Sequence, residues 1–285
     1  MKRVYTDAMK HHFRVTDGSS FSLADHDPSF TGDFEGGKAA ARAEVAKLTA
    51  RLDDLQELFY ADGRHRLLVV IQGMDTAGKG GAIRRAFAGM NPSGVRVAAF
   101  KAPTSTELAH DFLWRVHAQV PSDGQVVIFD RSHYEDVLIV RVHGLVPKHR
   151  LKARYDHIRH FEQMLADEGT TVVKFFLHIS ADEQQERLEA RLANPAKHWK
   201  FNPADLSERQ HWDEYQQAIE AAIAGTATEA APWYVVPANK KWHRDLVICR
   251  ALVDTFESLD LSYPQPDFDP STIVVPPYRP KAAAT

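Results

Sequence analysis

A single cysteine, Cys249, is all the thiol this chain of 285 residues has, so no disulfide can close within it and no cysteine-built metal site can form. Cys249 lies among Leu246, Val247, Leu252 and Val253, at helical spacing, and is expected to be core. Long apolar runs are also lacking. The strongest, Leu67–Ile71, is strand-sized and far short of the roughly 20 residues of a membrane helix. The opening MKRVYTDAMKHHFRV has no apolar core of a secretory signal. Charge of one sign is scarce too: 35 Lys and Arg face 38 Asp and Glu, a formal net charge of -3. That balance gives no reason to expect nucleic acid or a membrane as partner, although a local basic groove is compatible with it. The expectation is a cytoplasmic protein of a reducing compartment.

What is present is an alternation of strands and helices. Residues 1–37, mixed and rich in Asp, Gly, Ser and His, are expected to form an irregular arm. A helix is expected from Lys38 to about Tyr60, where Val45, Leu48, Leu52, Leu55 and Phe59 recur at spacings of three and four. Five strands follow, at Leu67–Ile71, Val95–Phe100, Gln125–Asp130, Val172–Ile179 and Trp233–Pro237. Between them come a short helix ending near Phe87, one over Glu107–Val120 with Thr106 as its cap, and one over Lys148–Glu168 stopped by Gly169. Another helix begins after Ser180, where Glu183 completes a capping-box pattern, and His243–Ser258 closes the body. This predicts an α/β fold, a mostly parallel sheet with helices on both faces. The body is placed at 38–260 and a Pro-rich tail at 261–285. Residues 187–212, split by Pro195 and Pro203 and carrying Arg187, Arg191, Lys197, Lys200 and Arg209, resemble a lid inserted between core elements.

The strongest chemical signal is IQGMDTAGKGG, residues 71–81. Gly73, Gly78 and Lys79 match the spacing of the phosphate-binding loop, in the required context of buried strand and following helix. Backbone amides of Gly73, Met74, Thr76, Ala77, Gly78, Gly80 and Gly81 would curl around phosphoryl oxygens, and Lys79 would add a point charge. Gly80 stands where the motif has Ser or Thr, so the hydroxyl that would touch a metal is missing. Asp75 inside the loop would repel phosphate unless a cation intervenes. That makes it a candidate Mg²⁺ ligand or a base that orients an acceptor, as against a mere brace of the loop.

The second signal is VVIFDRSHYED, residues 126–136. Asp130 ends an apolar strand and should emerge at the carboxyl edge of the sheet, beside the phosphate loop, where ligands of open sheets bind. Asp75 and Asp130 are therefore the candidate metal pair. Arg131 is expected on phosphate, Glu135 on the nucleotide or as a brace, and His133 in a structural role. Arg84, Arg85, Lys101, Arg187, Lys197 and Lys200 are further candidates for substrate contact. His157 and His160 are assigned to a helix surface. Trp199, Trp212 and Trp233 are assigned to core or lid.

GMDTAGKGG, FDRSHYED and the RLxxP and WKF stretch closely resemble the polyphosphate kinase 2 family, over roughly residues 38–260. The resemblance implies a three-layer αβα, P-loop kinase-like fold with strand order 2-3-1-4-5 and a helical lid. It implies phosphoryl transfer between inorganic polyphosphate and nucleotides with Mg²⁺ or Mn²⁺, and a homo-oligomer, dimer or tetramer. By motif match it assigns catalysis to Asp75, Lys79, Asp130, Arg131 and Arg191, with Lys200 as the lysine of the WK pair. A polyphosphate channel would use Lys79, Arg84, Arg85 and Arg131. Glu135, where diphosphate-only members often have Asn, resembles the subclass that carries AMP to ADP and then to ATP. An enzyme limited to nucleoside diphosphates, an ATP-dependent kinase of a small metabolite and a nucleotide-binding regulator are the competing readings.

Overall fold

Leu67 to Ile71 contains no polar residue, so a strand there must be covered on both faces. In the computed structural model, which describes residues 13–32 and 34–278, that strand is β2 (Arg66–Gln72), at the middle of the sheet. It runs parallel to β4 (Val126–Asp130) on one side and β5 (Thr170–His178) on the other. Beyond β4 lies β3 (Val95–Ala99), and beyond β5 lies β6 (Trp233–Pro237), both parallel to their neighbours. These five strands take the expected order. The sheet has a sixth strand that the sequence reading did not contain. β1 (Arg14–Val15) pairs antiparallel with β6, giving the order β1-β6-β5-β2-β4-β3. Two residues carry no alternation to detect, so this part of the supposedly irregular arm could not be seen as a strand. Residues 1–12 of the arm lie outside the described residues.

Alternation along β2 divides the core in two. Leu67, Val69 and Ile71 face one helical layer, formed by α1 (Gly37–Asp62), α2 (Lys79–Ala86) and the C-terminal helix α10 (Lys241–Glu257), which holds the buried Cys249. Leu68 and Val70 face the other, formed by α5 (Glu135–Val142), α6 (Lys148–Asp167) and α9 (Trp212–Thr226). Gly169 follows α6 in the left-handed region at φ 87°, as a helix stop there requires. His157 and His160 are exposed on α6, and Trp233 is core.

Two local expectations are corrected. The helix expected over Glu107–Val120 is two single turns, α3 (Ser105–Leu108) and α4 (Trp114–His117). Its cap is Thr104 rather than Thr106, in a reciprocal capping box with Glu107. Asp111 interrupts the run, because its carboxylate accepts from the backbone N–H of Leu113 and favours a turn. At α7 (Ala181–Leu192), Ser180 caps the N–H of Glu183 as expected, but the Glu183 carboxylate instead holds Arg187 at 2.7 Å. After α7 come a 3-10 turn (Pro195–Lys200) and the short helix α8 (Ala204–Arg209), which leads into α9. Trp199 is exposed on the 3-10 turn. No helix among the described residues is long and apolar enough to cross a membrane.

Candidate functional site

The strand pairing brings the two motif segments together. Ile71 is in register with Asp130, so the loop after β2 and the loop after β4 leave the sheet side by side at its carboxyl edge. The first loop needs unusual backbone. Gly78 has φ 102°, and a Cβ there would sit 2.2 Å from Arg244 Nη1, while Thr76 is left-handed at φ 66°. This curl turns the loop carbonyls outward, and side chains receive them. Lys79 Nζ donates to Gly73 O at 2.6 Å, Gln184 to Asp75 O at 3.1 Å, Arg187 to Thr76 O and Ala77 O at 2.9 Å, and Arg244 to Gly78 O at 3.3 Å. The N–H of Ala77 is spent on Met74 O and that of Gly81 on Gly78 O, each at 3.0 Å, against the expectation of them; with the carbonyls held from behind, the remaining loop amides are left to face an anion in front.

The second loop begins with Arg131, another non-glycine residue in the left-handed region at φ 63°. Its N–H donates to Ile71 O at 3.2 Å, and its guanidinium reaches Asp75 Oδ1 at 2.7 Å and Glu135 Oε2 at 3.9 Å. Strained backbone of this kind persists only where the surroundings hold it. Here Ser132 and His133 are fully buried beneath it, His133 against Glu162 at 3.2 Å. Gln72, with its amide oriented by the surrounding hydrogen bonds, accepts from Ser132 and donates to Glu135 at 3.0 Å.

Asp75, Lys79, Asp130, Arg131 and Glu135 therefore share one field. Burial lowers the pKa of Lys79 and Arg131 lowers it further, against Asp75, Glu135 and Asp130. Burial would also lower that of Arg131, but the carboxylates of Glu135, Asp75 and Asp130 outweigh it and hold it above its ordinary value. Burial pushes the Glu135 carboxyl up, against the pull of Arg131 and Lys79. No cage of three or more His, Cys, Asp or Glu side chains exists among the described residues. Asp75 and Asp130 are the carboxylates there whose hard oxygen donors would suit a divalent cation such as Mg²⁺.

A cleft of about 270 Å³ opens from this point. Its mouth has Asp75, Arg131 and Glu135. Its floor is apolar, with Leu138, Phe176 and Ile219, and α8 overhangs it with Asp205, Glu208 and Arg209. The remaining sequence candidates divide. Arg191 lies near, 3.9 Å from Asp205. Lys197 and Lys200 are exposed on the 3-10 turn, Lys200 over the Trp199 ring. Arg84 and Arg85 are exposed on α2, and Lys101 is exposed after β3. Arg187 is placed differently from the phosphate contact expected of it. It is 7% exposed, and its guanidinium is taken up by the loop carbonyls, by Ala238 O at 2.6 Å and by Glu183. Sequence reasoning missed Gln184, Asp205 and Arg244. Only Gln184 left a trace, standing three residues before Arg187 and so on the same helical face.

Comparisons with known proteins agree with this geometry. The family model described as Polyphosphate kinase 2 matches residues 36–263. An AMP/ADP-polyphosphate phosphotransferase of Meiothermus ruber is 58% identical over 263 residues, covering 92% of this chain and 98% of the relative. An ADP-polyphosphate phosphotransferase of Rhodopseudomonas palustris is 44% identical, covering 89% and 91%. The crystal structure of polyphosphate kinase 2 from Arthrobacter aurescens superimposes with a TM-score of 0.88 at 49% identity, over 90% of this chain and 92% of that one. A match of this extent, spanning both motif loops and the sheet that joins them, places the chain in the polyphosphate kinase 2 family.

Proposed function

We propose that the protein transfers the terminal phosphoryl group of inorganic polyphosphate to AMP and to ADP, giving ADP and ATP, and that it can run the reaction in reverse. The observation that carries this reading is the mouth of the cleft. There Asp75 of the phosphate loop, the strained Arg131 and Glu135 line a cavity with an apolar floor, and Lys79 and Asp130 lie within their electrostatic field. The relative at 58% identity is named for the same reaction.

In this reading polyphosphate lies on the loop amides and Lys79, with Arg84, Arg85 and Lys101 along its path. The acceptor nucleoside occupies the cleft, over Leu138 and Ile219. An oxygen of the acceptor phosphate forms a bond to the terminal phosphorus as the bond to the rest of the chain breaks, leaving polyphosphate one unit shorter. The attacking oxygen is already anionic, so no protein nucleophile is needed and the work is positioning and charge balance. A divalent cation, Mg²⁺ or Mn²⁺, held by Asp75 and Asp130, would neutralise charge on donor and acceptor. Arg131, and Arg191 from the segment 187–212 acting as a lid, balance charge on the moving group. Lys197 and Lys200 guard the rim, and Glu135 orients the acceptor. A cytoplasmic homo-oligomer, dimer or tetramer, completes the proposal.

The experiment offers polyphosphate as sole donor and AMP as acceptor, with and without Mg²⁺. Metal-dependent appearance of ADP and then ATP supports the reading. Use of ADP but not AMP restricts it to diphosphates. Transfer only from ATP to another small molecule replaces it with a metabolite kinase.

A further inference from the structure

The phosphate loop is gripped from behind by four side chains, and one of them, Gln184 on α7, also touches the segment that overhangs the cleft. Gln184 is 2% exposed. Its amide nitrogen donates to the Asp75 carbonyl at 3.1 Å, and its amide oxygen accepts from Arg209 Nη1 at 2.8 Å. The same guanidinium nitrogen donates to Ala181 O at 2.9 Å, tying the end of α8 to the start of α7. Asp205 and Glu208 of α8 line the cleft together with Arg209. An amide has one donor end and one acceptor end, and both are used here in the only direction that works.

The Asp75 carbonyl is not a passive anchor. It belongs to the peptide that joins Asp75 to the left-handed Thr76, so its direction sets where the Thr76 N–H points, while the Asp75 carboxylate is held separately by Arg131 at 2.7 Å. Arg187 holds the next two carbonyls but makes no bond to α8, so it fixes the loop without reporting on α8. We infer that Gln184 is a positioning residue that couples the seating of α8 over the cleft to the orientation of the Asp75–Thr76 peptide in the phosphate loop. When α8 is down, Arg209 aligns the Gln184 amide and the Thr76 N–H is set for the phosphate. When α8 lifts, the amide loses its acceptor-side partner and the Asp75–Thr76 peptide loses its fixed direction. The inference rests on the phosphotransfer reading above and names a regulation of that same site.

The test compares the full chain with Gln184→Leu, Gln184→Glu and Arg209→Gln, using polyphosphate and AMP with saturating Mg²⁺. Arg209 is only half-buried and belongs to no core cluster, so its replacement keeps the fold even if a Gln184 variant does not. Expected is a fall in kcat of about 10-fold or more for each, with KM for both substrates within about 3-fold, as for an interaction made fully only at the transition state. Gln184→Leu combined with Arg209→Gln is expected to fall no further than the worse single variant. Unchanged kcat in Arg209→Gln, or losses that multiply in the double variant, would overturn the coupling. The wild-type control separates the two claims. An active wild type with indifferent variants overturns the coupling alone, whereas a wild type unable to use polyphosphate overturns the functional reading beneath it.

Discussion

The segment from Asp130 to Glu135 has charged groups on both of its sides, and the two sides treat charge in opposite ways. Toward the cleft, Arg131, Asp75 and Glu135 are 40%, 32% and 21% exposed. Their contacts leave donors and acceptors free for a ligand. Toward the core, His133, Glu162 and Lys174 are at most 1% exposed. There Lys174 Nζ donates to Glu162 Oε2 at 2.5 Å, to Tyr134 Oη at 2.9 Å and to Thr226 O at 2.9 Å, matching its three protons with three acceptors. Tyr134 Oη in turn donates to Glu162 Oε1 at 2.7 Å. Burial opposes the Glu162 charge, but Lys174 and His133 outweigh it and hold its carboxyl below the usual range. A sealed, fully satisfied pair adds little net stability over an apolar core, yet it cannot be half removed. It defines where Tyr134 and His133 lie, and so where the strained Arg131 and Glu135 emerge. Satisfied charge fixes geometry on one side, so that unsatisfied charge is available on the other.

The comparison can be broken at its open side first. Asp130→Asn removes the strand-end carboxylate proposed to hold the divalent cation while sparing the core, and phosphotransfer is expected to fall by ~10³-fold, about 4 kcal/mol of transition-state stabilisation. A coupled assay of nucleotide formation measures this, with circular dichroism showing an intact fold. Activity within tenfold of wild type would remove Asp130 from the chemistry.

On the sealed side, Lys174→Met leaves Glu162 buried and unpaired, which should cost roughly 3–5 kcal/mol in urea unfolding. Lys174→Met combined with Glu162→Leu should recover most of that loss. If the double variant is no more stable than the single one, the charge is not what makes the single change costly.

The smallest effect lies on the open side again, at Glu135, the least exposed of its three charged groups. Its carboxyl is pushed up by burial, so the folded protein holds this proton more tightly than the unfolded chain does. The protonated form costs nothing below the ordinary carboxylate range. Once pH passes the ordinary carboxylate range the unfolded chain gives up the proton first, so stability falls, and the loss is complete when pH has risen through the folded value. Glu135→Gln should therefore raise the melting temperature at pH 7 by roughly 2–4 °C, on the order of 1 kcal/mol for a domain this size. The gain should vanish below about pH 4. A gain that is equal at both pH values would point to packing rather than charge.

Both motif loops and the five parallel strands were legible because each rests on residues close together in the chain, whereas the strand order came only with the family resemblance. Gly73, Gly78 and Lys79 lie within seven positions, and Asp130 directly follows its own apolar strand. Strand β1 was not legible, since two residues show no period. The break at Asp111 lay hidden because a helical pattern ran across it. Arg187 was visible as a cation near an implied anion, but its acceptors, Thr76 O, Ala77 O and Ala238 O, are 51 or more positions away. The loop carbonyls that Gln184 and Arg244 hold, Asp75 O and Gly78 O, are 109 and 166 positions away, and no local pattern announces them.

By itself the sequence determined that a phosphate loop and an acidic strand end would meet at one edge of a parallel sheet. Apolar runs flanked by glycine and aspartate leave few other ways to bury the strands and expose the loops. Only the tertiary structure decided which cations face the cleft and which are used up behind it. A guanidinium goes to whichever carbonyls the fold places within reach, and those carbonyls come from turns that are neighbours in space alone.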